Sequence, residues 1–397
     1  MSTGSYKKLY DAAVPSIFSF KCGPSKHSRS RSERAAKRLT AVNTPLVVDD
    51  DCTVPQLDIG SEVDVVTESA SEQQLQEQQQ CSEESFLSDN SVQCSLLSER
   101  WSAKQFRCNS VAIHYYTGLD DYEHFQYFLA VLGPGAEHLT CQYNILPVED
   151  QLFLTLMKLR QAKDDVELSI LFGCSAATVS RLIKTWINFM YYQLKEINIW
   201  PSQNVIRQHM PSDFGRKFGN TRVILDATEC AVEKPANLSV QSSTFSTYKN
   251  CNTVKTIIGC TPHGAVSFIS DTYGGCTSDR QIIERSQLCS DNSMFSAGDS
   301  IMADRGLMVQ DLFAPKNVLV NTPHMLKGKS QLEPAQVVND RRVASKRIHI
   351  ERVIGLAKTF KILDRKLPIH RIMDAGKIVF ICVIITNFRN CIVGHNA

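Results

Sequence analysis

Three carboxylates in the C-terminal half of the chain have the side chains and the local sequence for phosphodiester chemistry. Asp226 and Asp304 each end a short apolar run, and Glu351 lies in a later segment with helical spacing. A carboxylate in a hydrophobic strand is costly unless something pairs it, and a divalent metal ion is the usual partner when the neighbours are also acids. Because two Mg²⁺ ions roughly 3.5–4 Å apart can cut a phosphodiester, the three acids predict a metal-dependent nuclease site.

Short strands must position the two aspartates. Apolar runs predict four of them, at residues 222–227, 254–260, 265–270 and 300–303. Thr261-Pro-His-Gly264 joins the second run to the third and is typical of a hairpin loop. Asp226 and Asp304 are then expected at the C-terminal ends of strands, which is the edge where open α/β sheets place their sites.

A helix must position the third acid, because apolar helical spacing returns after Val338. One stripe of this helix contains Arg347, Glu351, Gly355 and Lys358. The cations on either side of Glu351, Arg347 and Lys358, are expected to hold it in its ionised form, and both are candidates for contact with phosphate. Gly355 costs helix stability, which is tolerable if substrate or backbone approaches closely there.

Each acid also has a purely structural interpretation. Asp226 could cap a turn, Asp304 could begin an Asx-turn, and Glu351 could pair with a neighbouring arginine. A fourth acid, Asp279, lies in a Gly-rich segment after the hairpin. It is either an additional metal ligand or a group that positions substrate beside Arg280, and the residues themselves leave both interpretations open.

Helical spacing fills the part of the chain before the strands. Apolar and aromatic residues predict one helix over residues 115–129, which ends at Leu132-Gly-Pro-Gly135. Pro147 is then expected to begin a helix, residues 164–172 to form a short one, and Ser175 to cap a third. Together these last three predict a helix-turn-helix at about residues 146–194.

The third helix of this unit has the composition of a recognition helix. Its buried face is expected to contain Val179, Leu182, Ile183 and Trp186. Its exposed face is expected to contain Ala176, Ala177, Thr178, Arg181 and Lys184. Small residues near its start allow a close approach to base edges, and Arg181 and Lys184 can reach phosphates. Double-stranded DNA is the partner that this pattern predicts.

The same segments resemble a known family. Eight motifs, in the family's order, are similar to those of the DDE superfamily endonucleases, transposase-like proteins related to the PIF/Harbinger group: Leu225-Asp-Ala-Thr-Glu229, Glu233-Lys-Pro235, Tyr248-Lys249, Tyr273-Gly-Gly275, Ser278-Asp-Arg280, Ala303-Asp-Arg-Gly306, Lys327-Gly-Lys329 and Arg347-Ile-His-Ile-Glu-Arg352. The resemblance covers residues 105–392, and residues 146–186 resemble the family's helix-turn-helix. The spacing of Arg347, Glu351 and Lys358 also resembles bacterial insertion-sequence transposases, although Ala344 stands where those have Tyr.

The resemblance implies a mixed α/β chain. Residues 101–200 are expected to be all-helical, and residues 221–392 to form a ribonuclease-H-like catalytic domain. It implies that Asp226, Asp304 and Glu351 are the catalytic metal-binding triad, with Mg²⁺ or Mn²⁺ as the cofactor.

The resemblance also bears on residues around the triad. It implies that Asp279 is a fourth metal ligand. Lys249, Lys255 and Lys358 are candidates for contact with DNA phosphates, and each could equally be an ordinary surface lysine.

The N-terminal hundred residues have a different composition. Ala12-Ala-Val-Pro-Ser-Ile-Phe18 resembles the box that ends THAP zinc domains, but no Cys or His precedes it, so residues 1–18 are expected to be a remnant without zinc. Residues 19–100 are basic and then acidic and Gln-rich, and their few apolar residues predict disorder. The basic cluster Ser28-Arg-Ser-Arg-Ser-Glu-Arg34 is a candidate nuclear-import signal, which predicts a nuclear location.

Charge and cysteine content agree with an enzyme that works on a polyanion. The net charge is +2, and because residues 1–47 carry +7 and residues 48–100 carry −12, the part after residue 100 carries +7. A mildly basic enzyme of another kind has the same balance. The fourteen Cys form no C-x-x-C pair, which disfavours a disulfide framework. No apolar run is long enough to predict a membrane span.

Two hypotheses follow for the function. The first is a metal-dependent DNA endonuclease or transposase with a two-metal mechanism. The alternative is a domesticated, catalytically silent DNA-binding or scaffold protein, which the missing zinc module and Ala344 favour. A ribonuclease-H-like enzyme that acts on RNA or small phosphoesters is a third interpretation. A homo-oligomer or a DNA-targeting protein partner is left open.

Overall fold

The computed structural model describes residues 100–139, 146–326, 331–391 and 393. The predicted remnant at residues 1–18 and the predicted disordered segment, apart from Arg100, lie outside this range. The Lys327-Gly-Lys329 motif also lies outside it. The described residues form a mixed α/β fold in which a helical region is followed by a curled sheet.

The helical region has seven α-helices within the described ranges: α1 (Ser110–Thr117), α2 (Tyr122–Leu132), α3 (Val148–Gln161), α4 (Asp165–Phe172), α5 (Ala176–Lys195), α6 (Gln203–Gln208) and α7 (Ser212–Phe218). The prediction of one helix over residues 115–129 is wrong, because two helices cover this segment. Gly118 ends α1 in the left-handed conformation, with φ of 83°, and the Asp121 carboxylate caps α2 by accepting from the His124 N–H at 2.8 Å.

The predicted helix-turn-helix is present as α3, α4 and α5. Gly173, with φ of 61°, ends α4, and the Ser175 hydroxyl caps α5 by accepting from the Thr178 N–H at 3.1 Å. All four residues predicted for the buried face of α5 are buried. One of them, Trp186, donates to Gln151 Oε1 on α3 at 3.1 Å and so ties the recognition helix to the core.

The sheet contains the strands β1 (Thr221–Ala231), β2 (Phe245–Ser246), β3 (Cys251–Cys260), β4 (Val266–Ile269), β5 (Tyr273–Gly274), β6 (Ser300–Ala303) and β7 (Leu319–Asn321). Its order is β2-β3-β1-β6-β7, and β4 and β5 also pair with β3. β1 is antiparallel to β3 and parallel to β6. The predicted hairpin joins β3 to β4, and Gly264 occupies its turn with φ of 93°.

The remaining α-helices pack on the sheet: α8 (Leu238–Thr244), α9 (Asp279–Glu284), α10 (Gln287–Ser290), α11 (Gln310–Phe313), α12 (Pro334–Lys358), α13 (Lys361–Asp364) and α14 (Ala375–Ile385). Strand alternation divides the core between the two faces. Ile224 and Cys230 of β1 face the helical region, α12 and α14. Val223 and Leu225 face the opposite way, towards α9, α10 and α11. The helical region and one face of the sheet therefore share a single core.

Among the described residues, no single helix meets the conditions of length and apolar character that a membrane span requires. One pair, α4 and α5, meets them only when joined across its bend of 103°.

Candidate active site

The parallel pairing of β1 with β6 brings the first two predicted acids together. Leu225 pairs with Ala303 at the end of the ladder, so Asp226 and Asp304, which follow these two residues, lie next to each other. β6 stops there, whereas β1 continues beside β3 as far as Ala231. Asp304 follows its strand as predicted. The expectation that Asp226 ends a strand is wrong, because Cys230 further along β1 is still buried in the core.

The place where β6 stops is a small acidic cavity of about 40 Å³. Three carboxylates line it, those of Asp226, Asp279 and Asp304, together with Gly306 and Leu307. The Asp226 carboxylate accepts from the Ala227 N–H at 3.0 Å, and its side chain is 26% exposed against 54% for Asp304. One acid is therefore half-buried at the bottom, and the other opens to solvent.

Arg347 on α12 supplies the positive charge at this cavity. Its Nη1 atom donates to Asp304 Oδ1 at 2.8 Å, and its Nη2 atom lies 3.8 Å from Asp226 Oδ1. The prediction that Arg347 holds Glu351 is therefore wrong. The guanidinium points at the sheet instead of along its own helix. Glu351 lies one turn later on α12, is exposed, and has no ion pair in the part of the chain that the structure describes.

The pKa of Asp226 reports the charges around it. Burial raises the pKa of this carboxyl above its ordinary value, Arg347 lowers it, and the carboxylates of Asp304 and Glu351 raise it again. Glu351 is therefore close enough to act on Asp226 through its charge, although the two are far apart in sequence. The three predicted acids share one electrostatic environment.

Asp279 reaches the cavity from the other side of the sheet, where it has its own cation. Lys255 Nζ lies 3.1 Å from Asp279 Oδ1 and 3.3 Å from Glu229 Oε1. Thr253 Oγ1 also donates to Glu229, at 2.7 Å. Burial lowers the pKa of Lys255, but the two carboxylates outweigh it, so that this pKa is raised overall. Lys255 thus belongs to a half-buried ion-pair network instead of a solvated surface.

In the second interpretation, Asp279 positions substrate beside Arg280, and the contacts of Arg280 bear on this role. Arg280 directs its guanidinium to Asp311, with contacts of 2.7 and 2.6 Å, and to Glu284 at 2.9 Å. This guanidinium is already occupied by carboxylates.

The Glu229–Lys255 pair was not predicted from the sequence. The antiparallel register of β1 with β3 sets the two residues directly opposite each other, and a prediction of that register would have indicated the pair.

The donor atoms suit a hard divalent cation. Among the described residues that line the cavity, every polar side chain is a carboxylate, whose oxygens are ligands for Mg²⁺ and Mn²⁺, and none is a thiolate or an imidazole. Within residues 100–139, 146–326, 331–391 and 393, no group of three or more His, Cys, Asp or Glu side chains is arranged to hold a metal ion. The chemistry of the acids fits such an ion, while their present arrangement accommodates the Arg347 guanidinium.

The remaining predicted phosphate contacts lie at separate places on the surface. Lys358 is exposed on the last turn of α12. Lys249 is exposed in the turn between β2 and β3, with Nζ 4.8 Å from the centre of the Tyr248 ring. Neither position is tested for contact with DNA, and both stay predictions.

The exposed face of α5 agrees in most positions with its prediction. Arg181 and Lys184 are exposed, whereas Thr178 is half-buried and its hydroxyl lies 2.9 Å from Ser175 Oγ. Thr178 thus takes part in capping α5, and it is a weaker candidate for contact with DNA than the two basic residues.

Two family models match the chain. Residues 225–387 match the model described as DDE superfamily endonuclease, and residues 144–196 match the model described as helix-turn-helix of DDE superfamily endonuclease. A search of curated proteins finds no match. The acids of the cavity lie in the first match and the exposed residues of α5 in the second. These matches support a DDE superfamily endonuclease with a DNA-binding helix-turn-helix, and the closer resemblance to the PIF/Harbinger group and to THAP domains stays a prediction.

Proposed function

Taking the two matches as a premise, we propose that this protein is a metal-dependent DNA endonuclease of the transposase type, with a ribonuclease-H-like catalytic domain. One observation carries the proposal. Asp226 and Asp304 meet beside the end of β6, and Asp279 lines the same cavity. The charge of Glu351 on α12 raises the pKa of Asp226. Three acids that are far apart in sequence thus share one cavity, with Glu351 close by, which is the arrangement that a nuclease site of this kind requires.

Asp226, Asp304 and Glu351 are the residues that would hold the cofactor, with Asp279 as a fourth candidate. When bound, Mg²⁺ or Mn²⁺ lowers the pKa of a water or a DNA 3′-hydroxyl and stabilises the leaving oxygen, and two such ions are expected. The gathered carboxylates repel one another, and this repulsion is part of what makes a cation favourable there.

The chain's own cations bind and orient the substrate in this proposal. If Asp226 and Asp304 held a metal ion, the Arg347 guanidinium would be free to donate to a phosphate oxygen. Lys358 and Lys249 contact phosphates further along the duplex. Arg181 and Lys184 on α5 hold the DNA through its backbone, as a recognition helix does.

Location and assembly belong to the same proposal. A protein in the nucleus would be in the same compartment as its DNA substrate. The basic cluster at residues 28–34 is the feature that suggests nuclear import. A homo-oligomer or a DNA-targeting protein partner would add DNA sequence specificity to that of a single α5 helix.

A nicking assay tests the proposed activity. Full-length protein is incubated with supercoiled plasmid and Mg²⁺ or Mn²⁺, and the relaxed and linear products are measured. We expect wild-type protein to nick the plasmid and Asp304→Asn to be inactive. Asp271→Asn, which changes an exposed acid outside the cavity, serves as the matched control and should nick normally. Equal activity in wild type and Asp304→Asn contradicts the proposal.

A second function deserves a test because Arg347 already neutralises two of the acids. A catalytically silent DNA-binding protein would keep α5 and use these ion pairs only for stability. In that case Asp226→Asn and Glu351→Gln would leave duplex binding unchanged, and wild-type protein would neither nick plasmid nor bind Mn²⁺.

A further inference from the structure

A second pocket lies away from the acidic cavity and shares no residue with it. Its volume is about 310 Å³, which is at the lower end of the range for small organic ligands. The C-terminal end of α3, the N-terminal end of α4 and the segment after α13 form its walls. We call it the basic pocket, after the residues Lys158, Arg365, Lys366 and Arg371 that line it.

The inner wall of the basic pocket holds more positive charge than its carboxylate can satisfy. Asp165 Oδ1 lies 2.8 Å from Lys158 Nζ, and Asp165 Oδ2 lies 3.6 Å from Arg371 Nη2. Arg371 is 7% exposed, and its guanidinium makes no hydrogen bond to any residue that the structure describes. The Asp165 carboxylate lies beyond hydrogen-bond distance of this guanidinium and is shared with Lys158. An anion bound in the pocket would give Arg371 a closer partner.

The rim adds two more cations. Arg365 and Lys366 are both exposed, and the nearest contact of the Arg365 guanidinium is the Ala162 carbonyl at 3.4 Å. Asp164 is the second acid of the lining, so four cations face two carboxylates even when His370 is neutral. The pocket therefore favours a ligand with negative charge.

Apolar residues complete the wall opposite these charges. Ile362 and Leu367 are buried there, and Pro368 lies beside them. A bare inorganic anion would leave this apolar surface uncovered, whereas a phosphate that carries an organic group would cover it. We propose that the basic pocket binds a phosphate ester of a nucleoside, either as one unit of a DNA strand or as a free nucleotide.

The position of the pocket connects it to both DNA-handling parts of the molecule. α3 and α4 in its wall both belong to the helix-turn-helix. Leu367 donates from its N–H to the Ala231 carbonyl at 2.9 Å, at the far end of the strand that carries Asp226. Asp226 and Ala231 are five residue positions apart along β1, which is roughly 17 Å at about 3.3 Å per residue. DNA as the source of the phosphate rests on the proposed function; a free nucleotide does not.

Calorimetry with thymidine monophosphate tests the pocket, using full-length protein and the rim variants Lys366→Glu and Arg365→Gln. Both side chains are exposed, so both variants should fold normally. We expect wild type to bind the nucleotide at least about tenfold more tightly than inorganic phosphate, and each variant to lose about tenfold in affinity. Lys104→Glu changes an exposed lysine outside the pocket and should bind as wild type does.

Fluorescence anisotropy with a labelled duplex in EDTA distinguishes the two sources. If DNA supplies the phosphate, Lys366→Glu weakens duplex binding and lowers its salt dependence, while Lys104→Glu does not. If a free nucleotide is the ligand, only the calorimetric titration changes. Either result supports the pocket, and neither depends on whether plasmid is nicked. If Lys366→Glu and Arg365→Gln bind both the nucleotide and the duplex as tightly as wild type does, the proposal is overturned.

Discussion

Arg347 joins two acids that come from different strands, because its guanidinium donates to Asp304 at 2.8 Å and lies 3.8 Å from Asp226. The arginine is only 11% exposed, so little water screens the interaction with the half-buried Asp226. A cation bound by these carboxylates has to displace it. Arg347 and a metal ion therefore compete for the same charge.

Removing this competitor should strengthen metal binding. In Arg347→Met the acids keep their repulsion and lose their internal cation, so we expect the affinity for Mn²⁺ to rise by about tenfold, the lower end of the value for a charge-assisted hydrogen bond. Calorimetric titration with Mn²⁺, without DNA, measures this directly.

Arg347→Lys is the matched control, since it keeps one positive charge near Asp304 and should bind Mn²⁺ about as wild type does. A fall in Mn²⁺ affinity in Arg347→Met would instead mean that the arginine holds the acids in place for the metal, and the idea of competition would be wrong.

Lys255 should be a stability determinant. Its side chain is 13% exposed and lies between Glu229, at 8%, and Asp279. Lys255→Met leaves two carboxylates facing each other without their cation, and we expect a loss of about 2 kcal/mol in the free energy of unfolding. Urea unfolding at neutral pH measures it. The double variant Lys255→Met/Glu229→Gln removes one of the two unpaired carboxylates and should recover part of this loss. If the double variant is no more stable than Lys255→Met, charge pairing is not what makes Lys255 stabilising.

The basic residues of α5 should control DNA binding. Arg181→Ala and Lys184→Ala each remove one exposed cation from the recognition helix, so we expect weaker duplex binding and a salt slope reduced by about one unit for each. Anisotropy titrations over a salt series in EDTA provide both quantities. Lys104→Ala, on the short 3₁₀-helix Ala103–Phe106, is the control. Unchanged slopes in both α5 variants would exclude α5 as the DNA-binding surface.

Two glycines should respond to alanine in opposite directions. A Cβ at Gly274 would lie 2.1 Å from the Ser243 carbonyl oxygen, so Gly274→Ala should cost about 2 kcal/mol or more of the free energy of unfolding. A Cβ at Gly355 on α12 meets no atom of the described residues within 4 Å, so Gly355→Ala should add about 0.5–1 kcal/mol to the free energy of unfolding.

Gly355 also tests whether substrate approaches α12 closely. If DNA lies against this turn, Gly355→Ala should weaken duplex binding while it raises the free energy of unfolding. A variant that is less stable than wild type would contradict the open surroundings of Gly355, whatever happens to DNA binding.

Much of this architecture can be predicted from local pattern. Apolar spacing and the cap at Ser175 suffice for α5, because each of its buried residues lies on one stripe. The apolar run before Asp304 suffices for β6. β2, β5 and β7 have only two or three residues each, too few for a pattern to repeat, and their existence depends on pairing with longer neighbours.

The arrangement of charges at the site is less accessible to local pattern. Helical spacing places Arg347 and Glu351 on one stripe and so suggests that they pair, but the long guanidinium reaches across to the sheet, where two acids attract it more strongly than one. That choice depends on how α12 packs against β1 and β6. The meeting of Asp226 with Asp304 likewise depends on the parallel register, which neither strand specifies alone.

Binding of Mn²⁺ to single-acid variants shows whether the three acids hold a metal ion. Wild type, Asp226→Asn, Asp304→Asn and Glu351→Gln are titrated with Mn²⁺ while the free ion is followed by electron paramagnetic resonance, and Asp271→Asn is the control. We expect saturable binding in wild type and in the control, and a loss of at least about tenfold in affinity in each of the three variants. Wild-type affinity in Asp226→Asn and Asp304→Asn, or no saturable binding in wild type, would show that these acids are not a metal site.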